Sequence, residues 1–308
     1  MGKIDQLIED IKTLKVQGAT NVARASLDGM KIFVNEYEGT NLDEFLNELK
    51  TVSWKFASAR PTEPLARNLV RFVLSKIEGE KEIDYIRNTA LEDAIMEGYQ
   101  LLDNARSKII ENGVELLSDV DALYTHCHSS TVEDIIKKLH DNIPALKVFA
   151  SETRPLYQGR ITVKNLLSAG IDTTMVVDSA SSMFILSDRH PDVDAVVLGC
   201  DEIVSDGSFV NKIGTLDIAL ACQYGGKPLY VATTVLKLDP TTESQHSVIE
   251  YRSAQEIWEA APEGLTIINP AFDIVPASLV TGYITEIGVL LPQELNRESM
   301  EYYKWLSS

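Results

Sequence analysis

Between residues 1 and 115 the apolar side chains recur every three or four positions: Ile4, Leu7, Ile8, Ile11 and Leu14 draw one stripe, and DYIRNTALEDAIMEGYQLLDNARSKIIENG draws another. That spacing follows the turn of an α-helix and gathers the apolar positions on one face. The pattern breaks at VQGAT, EGTNLDE and SARPTEP, where Gly, Asn, Pro or Thr interrupts it, and Asn41 or Asp43 followed by acids reads as a helix start. The spacing predicts four or five helices in an N-terminal helical domain over residues 1–115.

From residue 116 to 308 the pattern changes to short apolar runs separated by helical stretches: ALYTHC, LKVFAS, TTMVVDS, DAVVLGCDEI, KPLYVAT, LTIINP and GYITEIG. Continuous rather than alternating apolarity implies strands buried on both faces, and the intervening segments are long enough for right-handed crossover helices. The expected fold class is α/β: a helical N-terminal domain followed by a Rossmann-like, doubly wound parallel sheet. Ligands of such sheets sit beyond the carboxyl ends of the strands, so the polar residues that close each run are where chemistry is expected. No repeat, low-complexity tract or Pro/Gly/Ser linker separates the two parts.

Composition narrows the function classes. A chain of 308 residues can bury a core without disulfide or metal staples. The three cysteines, Cys127, Cys200 and Cys222, are odd in number and widely spaced, which predicts free thiols and a cytoplasmic setting. MGKIDQLIEDIKTL is too charged for a signal peptide, and no run of ~18 apolar residues suggests a membrane span. A formal charge of -18 repels a phosphate backbone, so nucleic acid is not an expected partner. A small phosphorylated ligand would need a locally basic pocket.

The strand ends supply candidates for one. Cys127 closes ALYTHC just before a helix that Ser129, Ser130 or Thr131 could cap; it is either a small buried apolar residue or a thiol whose pKa the helix start lowers. His126 and His128 beside it have no second Cys/His pair nearby in sequence, so no metal is expected. Asp201 follows the apolar run AVVLGC, where burial would raise its pKa; it is either a strand-end cap or a proton donor. Lys212 in NKIGT, with Arg154 and Arg160 in SETRPLYQGR, forms either a solvated rim or a phosphate site. The phosphate-binding loop G-x-x-x-x-G-K-[ST], the dinucleotide fingerprint G-x-G-x-x-G after the first strand and the hydrolase elbow G-x-S-x-G are all missing.

THCHS, SETRPLYQGRITVKNL, VVDSA, GCDEI, NKIGT and NPAFDIVPASLVTGYITEIGV resemble the family that unites 5-methylthioribose-1-phosphate isomerases, archaeal ribose-1,5-bisphosphate isomerases and regulatory subunits of the eukaryotic translation-initiation exchange factor. The resemblance spans nearly the whole chain and is nearest the ribose-1,5-bisphosphate branch. It implies an aldose–ketose isomerase without a cofactor, with Cys127 as proton acceptor, Asp201 as proton donor and a phosphorylated pentose as substrate. Gln17, Gly18, Ala19, Thr20, Arg60, Ser129, Ser130, Thr131, Asn211, Lys212 and Lys237 would bind that substrate, in a homodimer or homohexamer. The regulatory subunits of the alpha type usually lack the thiol and the carboxylate. One departure stands out: where the enzymes usually read Arg-Gly-Ala, this chain reads Gln17-Gly18-Ala19, and Arg24 or Lys15 would have to supply the missing cation.

Overall fold

Asn41 caps a helix as its sequence context predicts: its side chain accepts the backbone N–H of Glu44 at 3.1 Å, and acids fill the first turn that follows. The computed structural model describes residues 2–60, 62–187 and 192–307, so Pro61 within SARPT lies outside the described residues. Four helices come first: α1 (Lys3–Lys12), α2 (Ala19–Glu36), α3 (Leu42–Ala57) and α4 (Pro64–Lys76), the last begun by a proline whose missing N–H costs nothing there. A short turn, α5 (Ile83–Tyr85), passes through a π-helical turn (Ile86–Ala90) into the long α6 (Leu91–Leu116). Helices α2 and α3 touch so closely that a Cβ on Gly29 would lie 2.2 Å from the Phe56 ring.

The chain then alternates strand and helix: β1 (Ala122–Thr125), α7 (Ser130–Asn142), β2 (Lys147–Ser151), α8 (Gln158–Ser168), β3 (Asp172–Val176), α9 (Ser181–Ile185) and β4 (Ala195–Leu198). After β5 (Glu202–Val204) and β6 (Phe209–Lys212) come α10 (Thr215–Gly225), β7 (Leu229–Ala232), β8 (Leu238–Asp239), β9 (Phe272–Val275), β10 (Gly282–Thr285), β11 (Gly288–Leu290) and α11 (Pro292–Tyr302). The main sheet runs β11-β10-β7-β4-β1-β2-β3, with every pair parallel except the hairpin of β10 and β11. Counted along the chain this is the doubly wound order, and its direction of winding reverses between β1 and β4. Leu123, Val148 and Val197 pack under Ile135, Ile136 and Leu139 of α7, whereas Tyr124, Val196 and Leu198 join one core with Ile95 and Leu102 of α6. Both faces of the central strands are therefore covered, and the helical segment supplies part of that cover.

Two expectations need correction. LTIINP is not a strand: Leu265 and Ile268 are exposed, and its backbone makes only an isolated bridge at Pro270. The outer strand β3 also lacks burial on both faces, because at the sheet edge Met175 stands in the open. A second sheet, β8-β5-β6-β9, went unforeseen. It grows from the ends of β4 and β7, and it brings the segments after those strands over the crevice.

A polar clamp fastens the helices to this region. The buried Asn68 of α4 donates from Nδ2 to the carbonyls of Leu236 and Leu238, both at 2.8 Å, and Arg67 pairs with Asp239 at 2.9 Å. Asn68→Leu would strand those two carbonyls, so it is expected to cost about 1–3 kcal/mol, the penalty of a buried group left unpaired. Urea unfolding of the two proteins measures it, and an unchanged midpoint would show that the clamp is idle.

Candidate active site

The loop after β1 is held from two sides. His126 accepts at Nδ1 from the Ser151 hydroxyl and donates from Nε2 to the carbonyl of Ile213 at 2.9 Å, which fixes its tautomer. Burial drives its pKa down to about 4, so it stays neutral and serves as a strut between β2 and the start of α10. Cys127 then adopts a left-handed φ of 65°, its N–H donating to Thr153 Oγ1 at 3.0 Å and its carbonyl accepting from Thr162 Oγ1 at 2.9 Å. A non-glycine residue in that region carries strain that its surroundings must hold. His128, which also lines the crevice, pairs with Glu133 at 2.8 Å. Among the described residues no three His, Cys, Asp or Glu side chains are grouped to hold a metal ion.

Ser129 caps α7, accepting from the Val132 N–H at 3.4 Å, and Gly199 at the end of β4 lets it do so: a Cβ there would sit 2.8 Å from that of Ser129. The first turn of α7, with its unpaired amides and positive dipole end, thus lines the crevice beside β4. The start of α10 does not offer the same service, because Asp273 already accepts the N–H groups of Gly214 at 2.7 Å and Leu216 at 3.0 Å. Lys237 lies beyond β7, where its ammonium donates to the Cys200 carbonyl; the buried Glu286 anchors that loop through Thr234 Oγ1 at 2.6 Å and the Val235 N–H at 3.0 Å. Asn211 and Lys212 come from β6, Asn211 bonding Thr215 Oγ1 at 3.0 Å and Lys212 lying 4.7 Å from the centre of the Phe272 ring.

The thirteen residues to which the resemblance gives a catalytic or binding role line one cavity of about 510 Å³ at the point where the sheet's winding reverses. Cys127 and Asp201 follow the ends of two adjacent strands at the switch point, β1 and β4. Gln17, Gly18, Ala19 and Thr20 reach the cavity from the left-handed turn at Gly18 that begins α2, and Arg60 reaches it from the end of α3. Five cations line the wall, Arg60, Arg106, Lys212, Lys237 and Arg252, with two carboxylates, Glu63 and Asp201; behind the wall Arg106 is paired with Asp134, and Arg252 with Glu250 and Glu256. This is the locally basic pocket that a chain of charge -18 needs to hold a phosphorylated ligand.

Several details depart from the sequence reading. Arg154 and Arg160 do not enter the cavity: the Tyr157 ring draws both guanidinium groups, at 5.0 and 3.7 Å, and Arg160 also pairs with Glu152. Neither Arg24 nor Lys15 replaces the absent arginine, since Arg24 pairs with Asp103 and Lys15 with Asp10. The guanidinium groups in the wall are instead those of Arg60, Arg106 and Arg252. Arg106 sits in the middle of α6 and Arg252 in an irregular segment, so no motif flagged either. The Cys127 thiol is not acidified: burial pushes its pKa up to about 11, nearby Lys212 pulls it down, and the Asp201 carboxylate adds to the rise. Glu63, which the sequence reading passed over, is pushed up to about 7 by burial, against the pull of Arg60.

The chain and its fold are similar to known proteins. The profile of the Initiation factor 2 subunit family matches residues 15–292. The chain is 34% identical to the ribose 1,5-bisphosphate isomerase of Methanocaldococcus jannaschii, over 99% of this chain and 97% of that one. It is also 34% identical to the methylthioribose-1-phosphate isomerase of Heliobacterium modesticaldum, over 94% and 88%. The crystal structure of translation initiation factor eIF-2B from Pyrococcus horikoshii OT3 superposes with a TM-score of 0.80 at 26% identity, covering 95% of this chain and 98% of that one. Matched along nearly its whole length by profile, sequence and fold, the chain belongs to the Initiation factor 2 subunit family.

Proposed function

We propose that this chain is an aldose–ketose isomerase that converts ribose 1,5-bisphosphate to ribulose 1,5-bisphosphate by acid–base proton transfer. One observation carries the reading: a thiol and a carboxyl group, Cys127 and Asp201, close the two strands at the switch point inside a cavity walled by five cations. The basic wall has more than one centre, which suits two phosphates. Arg60 and Arg252 meet at Glu250, whereas Arg106 lies against Ser130 at the start of α7.

The chemistry needs only those two groups to move protons. Phosphate on C1 blocks ordinary ring opening, so Asp201 gives its proton to the ring oxygen as the bond from that oxygen to C1 breaks. The Cys127 sulfur takes the proton from C2, and the electron pair left behind forms a double bond between C1 and C2. The same sulfur returns a proton to C1 while the C2 hydroxyl gives its own to Asp201, leaving the ketone and both side chains as they began. Arg60, Lys212, Lys237, Asn211, the first turn of α7 and the turn from Gln17 to Thr20 hold the sugar phosphate against these groups.

Free thiols at Cys127, Cys200 and Cys222 suit work in a reducing cytoplasm. The assembly proposed is a homodimer or homohexamer, which sedimentation distinguishes. No helix among the described residues is long and apolar enough to cross a membrane. Purified protein incubated separately with ribose 1,5-bisphosphate and 5-methylthioribose 1-phosphate is expected to form the ketose from the first. Turnover of only the second would move the chain to the methylthioribose activity. Binding of either without turnover would mark a regulatory protein and end the isomerase reading.

A further inference from the structure

Arg60 is shared between two carboxylates. Its Nη2 lies 3.3 Å from Glu63 Oε1 and 3.3 Å from Glu250 Oε2, with the side chains of Arg60 and Glu63 only 10% and 4% exposed. The other Glu63 oxygen, Oε2, is buried with no hydrogen-bond partner. A carboxylate held that way is under-compensated, since Glu63 shares the Arg60 guanidinium with Glu250, which has Arg252 as a second partner at 3.2 Å. A phosphate entering the cavity must compete with both carboxylates for the same guanidinium.

We propose that Glu63 is a proton-coupled positioning residue: it restrains Arg60 while the cavity is empty, and it takes up a proton from solvent when bound phosphate draws the guanidinium away. The inference rests on the reading of the cavity as a sugar-phosphate site, and it goes beyond that reading by making ligand binding depend on the charge of a residue the reaction itself does not use.

The surroundings of Glu63 set the sign. Arg60 and Lys237 favour its charged form; burial, Asp201 and Glu250 oppose it, and the outcome is a pKa of about 7. Phosphate removes part of the Arg60 contribution and adds negative charge nearby, so the folded, liganded protein holds the Glu63 proton to higher pH than the empty one. Above about 7, binding therefore consumes a proton, and affinity falls as pH rises. Glu202 is a second buried acid, also near 7, but it faces Asp239, Arg67 and Asp201 and does not line the cavity.

The test is titration calorimetry with ribulose 1,5-bisphosphate and with inorganic phosphate, from pH 6.5 to 9, in two buffers of different ionisation enthalpy. Wild type is expected to take up protons on binding and to lose affinity by up to about tenfold per pH unit over part of that range, the slope of one linked proton. Glu63→Gln is expected to abolish the difference between buffers and to bind more tightly than wild type at pH 9, while Glu202→Gln retains the uptake. Arg60→Gln breaks the pair from the other side and should also abolish it, which keeps the idea testable should Glu63→Gln fail to fold. Uptake that survives in Glu63→Gln or in Arg60→Gln, or no binding of either probe, would overturn it. The isomerase reading is judged apart, by wild-type turnover: proton uptake that requires Glu63 without turnover would sink that reading and leave this one standing.

Discussion

Cys127→Ser is expected to lower kcat/KM for ribose 1,5-bisphosphate by about 10³-fold, within the range that a single proton-transfer group contributes, with ligand affinity changed only a few-fold. The loop should keep its shape, because Cys127 is tied to Thr153 and Thr162 through its backbone and not through sulfur. The pH dependence sharpens the test. With the thiol pushed up to about 11, the sulfur of the empty enzyme holds its proton at neutral pH, and the fraction able to accept one grows with alkalinity. In a Glu63→Gln background, where ligand affinity carries no linked proton, the rate at low substrate should climb by up to about tenfold per pH unit above neutrality until the substrate or the fold intervenes. A flat profile together with an active serine variant would remove the sulfur from the chemistry.

The second large effect is expected at Asp201. Asp201→Asn keeps the shape of the side chain but can neither donate nor accept the proton, so kcat should fall by about 10²–10³-fold with KM changed little. An independent signal accompanies it. The Asp201 charge helps push the Cys127 thiol up, and its removal should lower that pKa. At pH 9 the variant should therefore react faster with iodoacetamide than wild type, with Cys127→Ser as the blank. Equal alkylation rates would mean that the thiol senses no Asp201 charge in the empty enzyme, and the loss of kcat would then have to carry the acid–base assignment alone.

Much of this site could be read from the chain because doubly wound sheets put function at strand ends, and strand ends are marked by where apolar runs stop. THCHS after β1 and GCDEI after β4 were visible for that reason, and the winding order makes those two strands neighbours. The second sheet was not visible: β8 has two residues and β5 has three, too short for any periodicity to register. LTIINP misled in the opposite way, since an apolar run with Ile268 exposed carries the same letters as a buried strand. Arg154 and Arg160 were placed at the rim by their position after β2, but one aromatic ring, Tyr157, holds both. Glu63 was hidden because its importance lies in partners from other parts of the chain, Glu250 and Asp201 among them, which no local pattern links to it.

The seating of Arg252, Lys237 and the turn at Gly18 around one cavity has a consequence for how the protein is made. The wall joins segments from residue 14 to residue 272, and β1 cannot acquire its β4 neighbour until about seventy further residues have been synthesised. Contacts between such distant segments form late, because the intervening chain must be ordered first. During translation the early helices must wait for the surface they cover, and a chain interrupted before residue 252 would expose that oily face while its basic hollow lacked Arg252 and the segment that closes it. Ligand capture should accordingly be the last property a newly made molecule acquires.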